Sequence, residues 1–194
     1  MAEITRDSLL SLEAYARQRP DFRAKVMAHK TVRTVGLGDH LTLFFEDELT
    51  IRYQIQEMLR IERTFEEPGI QDELDVYNPL LPDGRNFKAT MMVEFPDPDE
   101  RRIWLAKLIG VEDCVWIQVQ GYPRVFGIAD EDLERENDVK TSAVHFLRFE
   151  LTAEMAAKFK SGAAMALGVD HPEYRASADP LPELALRSLR EDLV

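Results

Sequence analysis

Carboxylates and histidines are the side chains through which this sequence could do chemistry, and Glu62 is the one whose spacing sets it apart. Ile51, Ile55, Met58 and Phe65 recur at i, i+4, i+7 and i+14, which predicts one buried stripe on a helix. Glu62 stands at i+11. At about 100° per residue it lies within about 20° of Ile51, so the same phase points it into the core. A carboxylate there needs a basic partner, a metal or a proton. A salt bridge to an arginine of the sheet, Arg148 being one candidate, is the ordinary answer. A ligand or general base in a pocket under the helix is the functional one, with Glu57, Glu94, His145 and Glu150 as the residues that could complete it. Arg52, Gln56, Arg60 and Arg63 fall on the other side of the helix and are expected as its solvated face.

The four histidines stand at no metal-ligand spacing on a single element. His29 and His40 fall in a helix C-terminal turn and a hairpin loop, and His171 precedes Pro172 in a loop. His145 lies in a strand on the face of Leu147 and Phe149, where a hydrogen-bonded core histidine is the ordinary expectation. The lone Cys114 opens a strand and reads as a small buried hydrophobe. No phosphate-binding glycine loop, HExxH, CxxC or GxSxG motif is present in the sequence. Ala89, Met91, Val93 and Phe95 form one face of a strand against Lys88, Thr90, Met92 and Glu94. Val115, Ile117 and Val119 oppose Cys114, Trp116, Gln118 and Gln120 in the same way. If the two polar sets share one side, that side could line a pocket for a small molecule.

These residues need elements to hold them. Thr5 is a plausible N-cap for a helix to Arg17, and Pro20 would open a second helix ending near His29. Residues 31–37 and 41–45 read as a hairpin across Gly36-Leu37-Gly38-Asp39-His40. Asp47 caps the long helix, 48–66, which Pro68-Gly69 ends, and a short helix over 70–77 follows. Strand 88–95 leads to Asp97-Pro98-Asp99-Glu100, which opens a helix that Gly110 closes. Further strands are expected over 114–120, 124–128, 141–151 and 163–169. Helices are expected over 130–136, 152–160 and 183–193. Strands and helices do not alternate, so the fold class is α+β: a single domain with a largely antiparallel or mixed sheet and helices packed on it. Residues 1–30 form its N-terminal helical segment, 31–170 its core, and 171–194 a linker and amphipathic helix.

The 194 residues carry 36 acidic against 24 basic side chains, a net charge of -12. Such a surface repels phosphate backbones and anionic lipid, so neither nucleic acid nor membrane is expected as a partner. One cysteine and an acidic N-terminus with no apolar run behind it suit the cytoplasm. Leu181, Leu184, Ala185, Leu189 and Leu193 make an apolar strip too short to stand alone in water. It should dock on its own body or on a second copy, hence an expected homodimer.

Whole phrases are recognisable too: Arg52-Tyr53-Gln54-Ile55-Gln56-Glu57-Met58-Leu59-Arg60-Ile61-Glu62-Arg63, Tyr77-Asn78-Pro79, Asp83-Gly84-Arg85-Asn86 with Ala89-Thr90, and Ser142-Ala143-Val144-His145-Phe146-Leu147-Arg148-Phe149. They resemble the bacterial family catalogued as domain of unknown function 3501, over Thr5 to about Tyr174. The resemblance implies a chromosomal neighbourhood of rubrerythrin-like and iron–sulfur oxidoreductase genes. Three functional classes stand at this point. The first is an accessory or interaction protein of a redox, peroxide or metal-metabolism system, with one of those redox proteins as partner. The second is a carboxylate and histidine metal protein or metalloenzyme using Glu62 and a divalent transition metal such as iron. The third is a small-molecule binder using the mixed sheet face. Whether the chain is an enzyme stays open.

Overall fold

The computed structural model describes residues 3–129 and 140–194. Asp47, Asp97 and Thr152 each cap the helix that follows through a side-chain oxygen that accepts backbone amides, giving α2 (Glu48–Glu62), α4 (Pro98–Lys107) and α5 (Ala153–Lys160). Alternating apolar residues form the hairpin of β1 (Thr34–Leu37) and β2 (Leu41–Glu46), with Gly38 at φ 64° in its turn. The remaining strands are β3 (Asn86–Val93), β4 (Val115–Val119), β5 (Val125–Phe126), β6 (Ile128–Ala129), β7 (Val144–Glu150), β8 (Met165–His171) and β9 (Tyr174–Ala178). The remaining helices are α1 (Leu12–Val32), α3 (Glu67–Tyr77) and α6 (Glu183–Arg190).

The strands make two antiparallel sheets, ordered β1-β2-β3-β7-β6 and β5-β4-β8-β9. The inner residues of both belong to one apolar cluster, in which Phe45, Met91 and Phe149 meet Ile117 and Leu167, and α5 and α6 add Phe159 and Leu189. This is the single α+β domain expected. The chain passes from one sheet to the other at Gly127, whose amide donates to the Val115 carbonyl at 2.8 Å. A Cβ there would come within 3.2 Å of the Phe149 ring, a tight approach to which the ring would have to yield by a few tenths of an ångström. The 124–128 segment is therefore two short strands in different sheets, because the sheets close on one another at this edge. A second, smaller cluster of Ile4, Leu9, Ile51, Ile55, Leu59, Ile70 and Leu74 sits among the N-terminal segment, α2 and α3.

Several boundaries differ from expectation. Pro20 does not separate two helices but lies inside the 21-residue α1. A mid-helix proline loses one backbone bond. The helix is pinned on both sides of it, however, by the buried Tyr15 and Val26 and by Phe22, whose ring meets Tyr15 at 6.1 Å and Tyr53 at 6.0 Å. Helix α2 stops at Glu62 because Arg63 turns left-handed at φ 57°, and Pro68 stands in the first turn of α3 instead of ending its predecessor. Strand β9 was expected as linker. Its alternation is weak in sequence, since Tyr174, Ala176 and Ala178 are the residues that pack on the core. The expected acidic helix over 130–136 lies outside the described residues.

The C-terminal strip docks on its own body. Leu181, Ala185, Leu189 and Leu193 are buried, while Leu184 points outward. Arg33, only 2% exposed, locks this docking: its guanidinium donates to both Asp192 carboxylate oxygens, at 3.1 and 2.5 Å, and to the Phe45, Glu46 and Ser188 carbonyls. Asp47 lies 3.5 Å from the same guanidinium and 2.5 Å from His29. Burial opposes ionisation of Asp47, but Arg33, the Thr50 amide and His29 hold its carboxyl below the ordinary range. Burial pushes Asp192 up to about 6 despite Arg33. Apart from Leu184, the strip's apolar residues are covered within one chain.

Candidate interaction surface

Residues 3–11 run as a strap across α2 and α3, held at both ends by side-chain amides that imitate a strand partner. Asn78 accepts the Ile4 amide and donates to the Ile4 carbonyl, both at 3.0 Å. Gln56 accepts the Leu10 amide at 2.8 Å and donates to the Leu10 carbonyl at 3.3 Å. Between them Arg52 donates to the Ser8 carbonyl at 2.5 Å, and Arg6 pairs with Glu67 at 3.0 Å. The expected solvated face of α2 is thus corrected. Gln56 is 2% exposed and Arg52 and Arg60 are half-buried, because α1 and the strap cover that side, and only Arg63 stands fully in solvent.

Between the strap, the end of α2 and the start of α3 lies a groove of about 180 Å³, lined by the apolar Leu9, Leu10, Leu12, Leu59, Phe65 and Ile70 and by Arg6, Ser11, Glu13 and Thr64. Two of its apolar lining residues stand exposed: Phe65 is 72% exposed and Leu10 37%. An apolar cavity of about 150 Å³ is large enough for a benzene ring, whereas small-molecule sites span roughly 300–1,000 Å³. The groove therefore fits one large apolar side chain better than a cofactor. Asp7, Glu13, Glu62, Glu66 and Glu67 are exposed on the segments that form it, which also carry Arg6, Arg17, Arg52, Arg60 and Arg63.

The residues singled out from the sequence do not converge. Glu62 is exposed, not buried, and makes no pair with Arg148. Its helical phase matches Ile51, but it is the last residue of α2, beyond the reach of the layers that cover Ile51, Ile55 and Leu59. Phe65, at i+14, lies past the helix altogether.

Glu57 is a structural anchor. Arg19 donates to its two oxygens at 2.7 and 2.8 Å and the Tyr15 hydroxyl donates at 2.7 Å. Against the penalty of burial, the Arg19, Tyr15 and Arg60 hydrogen bonds hold its carboxyl down at about 2, and burial beside this carboxylate pushes the Tyr15 phenol up. With its oxygens so occupied, Glu57 has little left to offer a metal.

Glu94 accepts from Thr42 at 2.6 Å on the rim of the first sheet. Glu150 pairs with Arg148 and accepts from Asn86 at 3.0 Å. His145 is fully buried on the inner face of β7. Its Nε2 lies 3.1 Å from the Ser142 carbonyl and 2.9 Å from Thr141 Oγ1, and its Nδ1 lies 3.8 Å from Glu112. A carbonyl can only accept, so Nε2 carries a proton. Among the described residues no three His, Cys, Asp or Glu side chains gather as a metal-binding group. The Cys114 thiol is pushed up by burial and by Asp113, Glu112 and Asp170, which keeps it protonated.

The mixed sheet face is corrected as well. Strands β3 and β4 belong to different sheets, so their polar sets do not share a side. Trp116 lies flat over Gly168, where a Cβ would come within 2.2 Å of the ring. Arg124, paired with Asp170, stacks on the same ring at 3.8 Å. The place expected as an open pocket is filled.

Sequence reasoning missed the strap clamps and the groove. Leu9-Leu10 held a signal, since adjacent leucines cannot both face one core from a helix. Among the described residues no helix is long and apolar enough to cross a membrane.

The comparisons with known proteins follow this geometry. The family model described as protein of unknown function DUF3501 matches residues 3–193. A crystal structure of a protein of unknown function from Burkholderia pseudomallei K96243 is 54% identical, with a TM-score of 0.95 and all of each chain covered. No curated protein matches the chain.

Proposed function

This chain belongs to the family of proteins of unknown function DUF3501, and we propose that it is an accessory protein of a redox, peroxide or metal-metabolism system that docks a protein partner in the strap groove. The observation that carries the reading is the exposure of Phe65 and Leu10 in the lining of one groove. Large apolar side chains held in water beside a concave surface mark a site for a partner. The family resemblance supports the setting, through its association with rubrerythrin-like and iron–sulfur oxidoreductase genes. The groove is too small for a typical small-molecule site, and Glu57, the most anchored of the candidate ligands, is committed to Arg19 and Tyr15.

Calorimetric titration of the purified protein with the rubrerythrin-like protein and with the iron–sulfur oxidoreductase of its own organism tests the reading. Saturable binding to one of them, lost in Phe65→Ser, is expected. Absence of binding to both would contradict it, and so would a stoichiometric transition metal in untagged protein together with metal-dependent turnover.

A further inference from the structure

We propose that the trough beneath residues 3–11 is a peptide-docking site, filled in cis by the strap and exchangeable in trans for a segment of a partner protein that carries two large apolar side chains five positions apart. This goes beyond the docking reading above and does not rest on it, since it uses the floor under the strap and not Phe65. The strap itself is the template for the occupant. Its Ile4 and Leu9 side chains, 2% and 7% exposed, enter the apolar cluster of Ile51, Ile55, Leu59, Ile70 and Leu74. Asn78 and Gln56 take the amide and the carbonyl of Ile4 and of Leu10, contacts that hold a backbone whatever its side chains. Arg52 adds the Ser8 carbonyl and hydroxyl. The Arg6–Glu67 pair is exposed at both ends and contributes little. Recognition thus rests on two apolar side chains and on the backbone between and beside them.

Two observations make the strap exchangeable. Among the described residues it shares no backbone–backbone hydrogen bond with α2 or α3, so it can leave without opening a helix or a ladder. It also underfills its trough. The groove of about 180 Å³ lies beside Leu9, and a cleft of about 510 Å³ lies beside Ile4, bounded by Leu74, Asp75 and Asn78. A segment built permanently into a core packs to the density of a crystal and leaves few such spaces. A partner segment with bulkier side chains at the two apolar positions covers more of the trough than Ile4 and Leu9 do. A second copy is a poor donor. Its strap runs at Ser11 into α1, which Tyr15 and Arg19 fasten to Glu57 of its own α2, so that helix would have to be drawn away with it.

Fluorescence anisotropy of a labelled peptide of residues 3–11 tests the site on the full-length protein. In the parent the tethered strap competes at an effective concentration on the order of millimolar, which keeps the free peptide out. I4D/L9D places two charges where the buried side chains were and unseats the strap, and I4A/L9A does so more gently should the first variant not fold. The peptide is expected to bind the unseated variants at least about tenfold more tightly than the parent. Adding Gln56→Ala to them should weaken it at least about tenfold, as should aspartate at both apolar positions of the peptide.

No binding to a folded unseated variant, or equal binding to variant and parent, would overturn the proposal and leave the Phe65 reading untouched. Binding that ignores Gln56→Ala, or that the aspartate peptide matches, would place the peptide elsewhere and overturn it as well. Sedimentation showing a dimer of the parent that the free peptide dissociates would make the occupant a second copy and overturn the choice of partner.

Discussion

Gln56→Ala should release the strap without unfolding the domain. The side chain is nearly fully buried, and its amide makes both hydrogen bonds that hold Leu10 to α2, at 2.8 and 3.3 Å. Each bond contributes about 1 kcal/mol net, and the lost methylene about 0.8 kcal/mol more. Leu10 is partly exposed, so water replaces the amide's partners and the larger penalty of stranding them in the dry interior does not arise. The sum is about 2–3 kcal/mol, against a total stability of about 5–15 kcal/mol for an ordinary domain. For a chain of this size that corresponds to a melting temperature lower by roughly 5–10 °C. Hydrogen exchange read by mass spectrometry locates the loss. Residues 4–12 should exchange faster, while β3 and β7 change only as far as global stability does. Gln56→Glu supplies an internal check, because a carboxylate keeps the bond from the Leu10 amide but faces the Leu10 carbonyl with no proton to give. It should cost as much at neutral pH and recover in acid, as the added carboxyl protonates. Unchanged exchange over residues 4–12, with a melting temperature within about 1 °C of the parent, would refute the clamp.

Three further outcomes follow from the same structure. Glu57 has its carboxyl depressed to about 2 in the fold, so its stabilisation is complete above its ordinary value of 4.5 and is lost as pH falls towards 2. Glu57→Gln should cost about 2–3 kcal/mol at neutral pH and flatten that acid arm in a pH series of thermal melts. Asp192 has the opposite sign. Its proton is held more tightly in the fold, so its contribution is complete below 3.8 and lost as pH rises through about 6, and Asp192→Asn should remove that slope. Gly168→Ala should destabilise by about 1–3 kcal/mol by pushing Trp116 off the sheet, visible as a changed near-ultraviolet circular dichroism band.

Local chemistry was legible in the sequence wherever a residue acts on its immediate neighbours. Asp97-Pro98-Asp99-Glu100 opens α4 and Thr152 opens α5 because a cap needs only the amides two or three residues on. The apolar sides of β3, β4 and β7 face the core as their alternation requires. Legibility fails where a distant element decides. Pro20 is tolerated because α2 and α1 grip each other on both sides of it. Glu62 has the angle of a buried residue without the neighbours that burial requires. Gln56 sits among arginines on α2 and reads as solvated until residues 3–11 fold over it, 46 positions away in sequence. Arg33 finds Asp192 across 159 positions, and no periodicity encodes that pairing. The groove itself is made of residues that are ordinary singly and informative only when the strap, α2 and α3 are side by side.

Photocrosslinking in the native cell tests the docking claim most directly. A benzophenone side chain is placed at position 65, in the lining of the groove, and in a control at position 184, also exposed, on α6. The account predicts a specific adduct from position 65 with the rubrerythrin-like or iron–sulfur protein, and none from position 184. No adduct from position 65, or the same adduct from both positions, would contradict it.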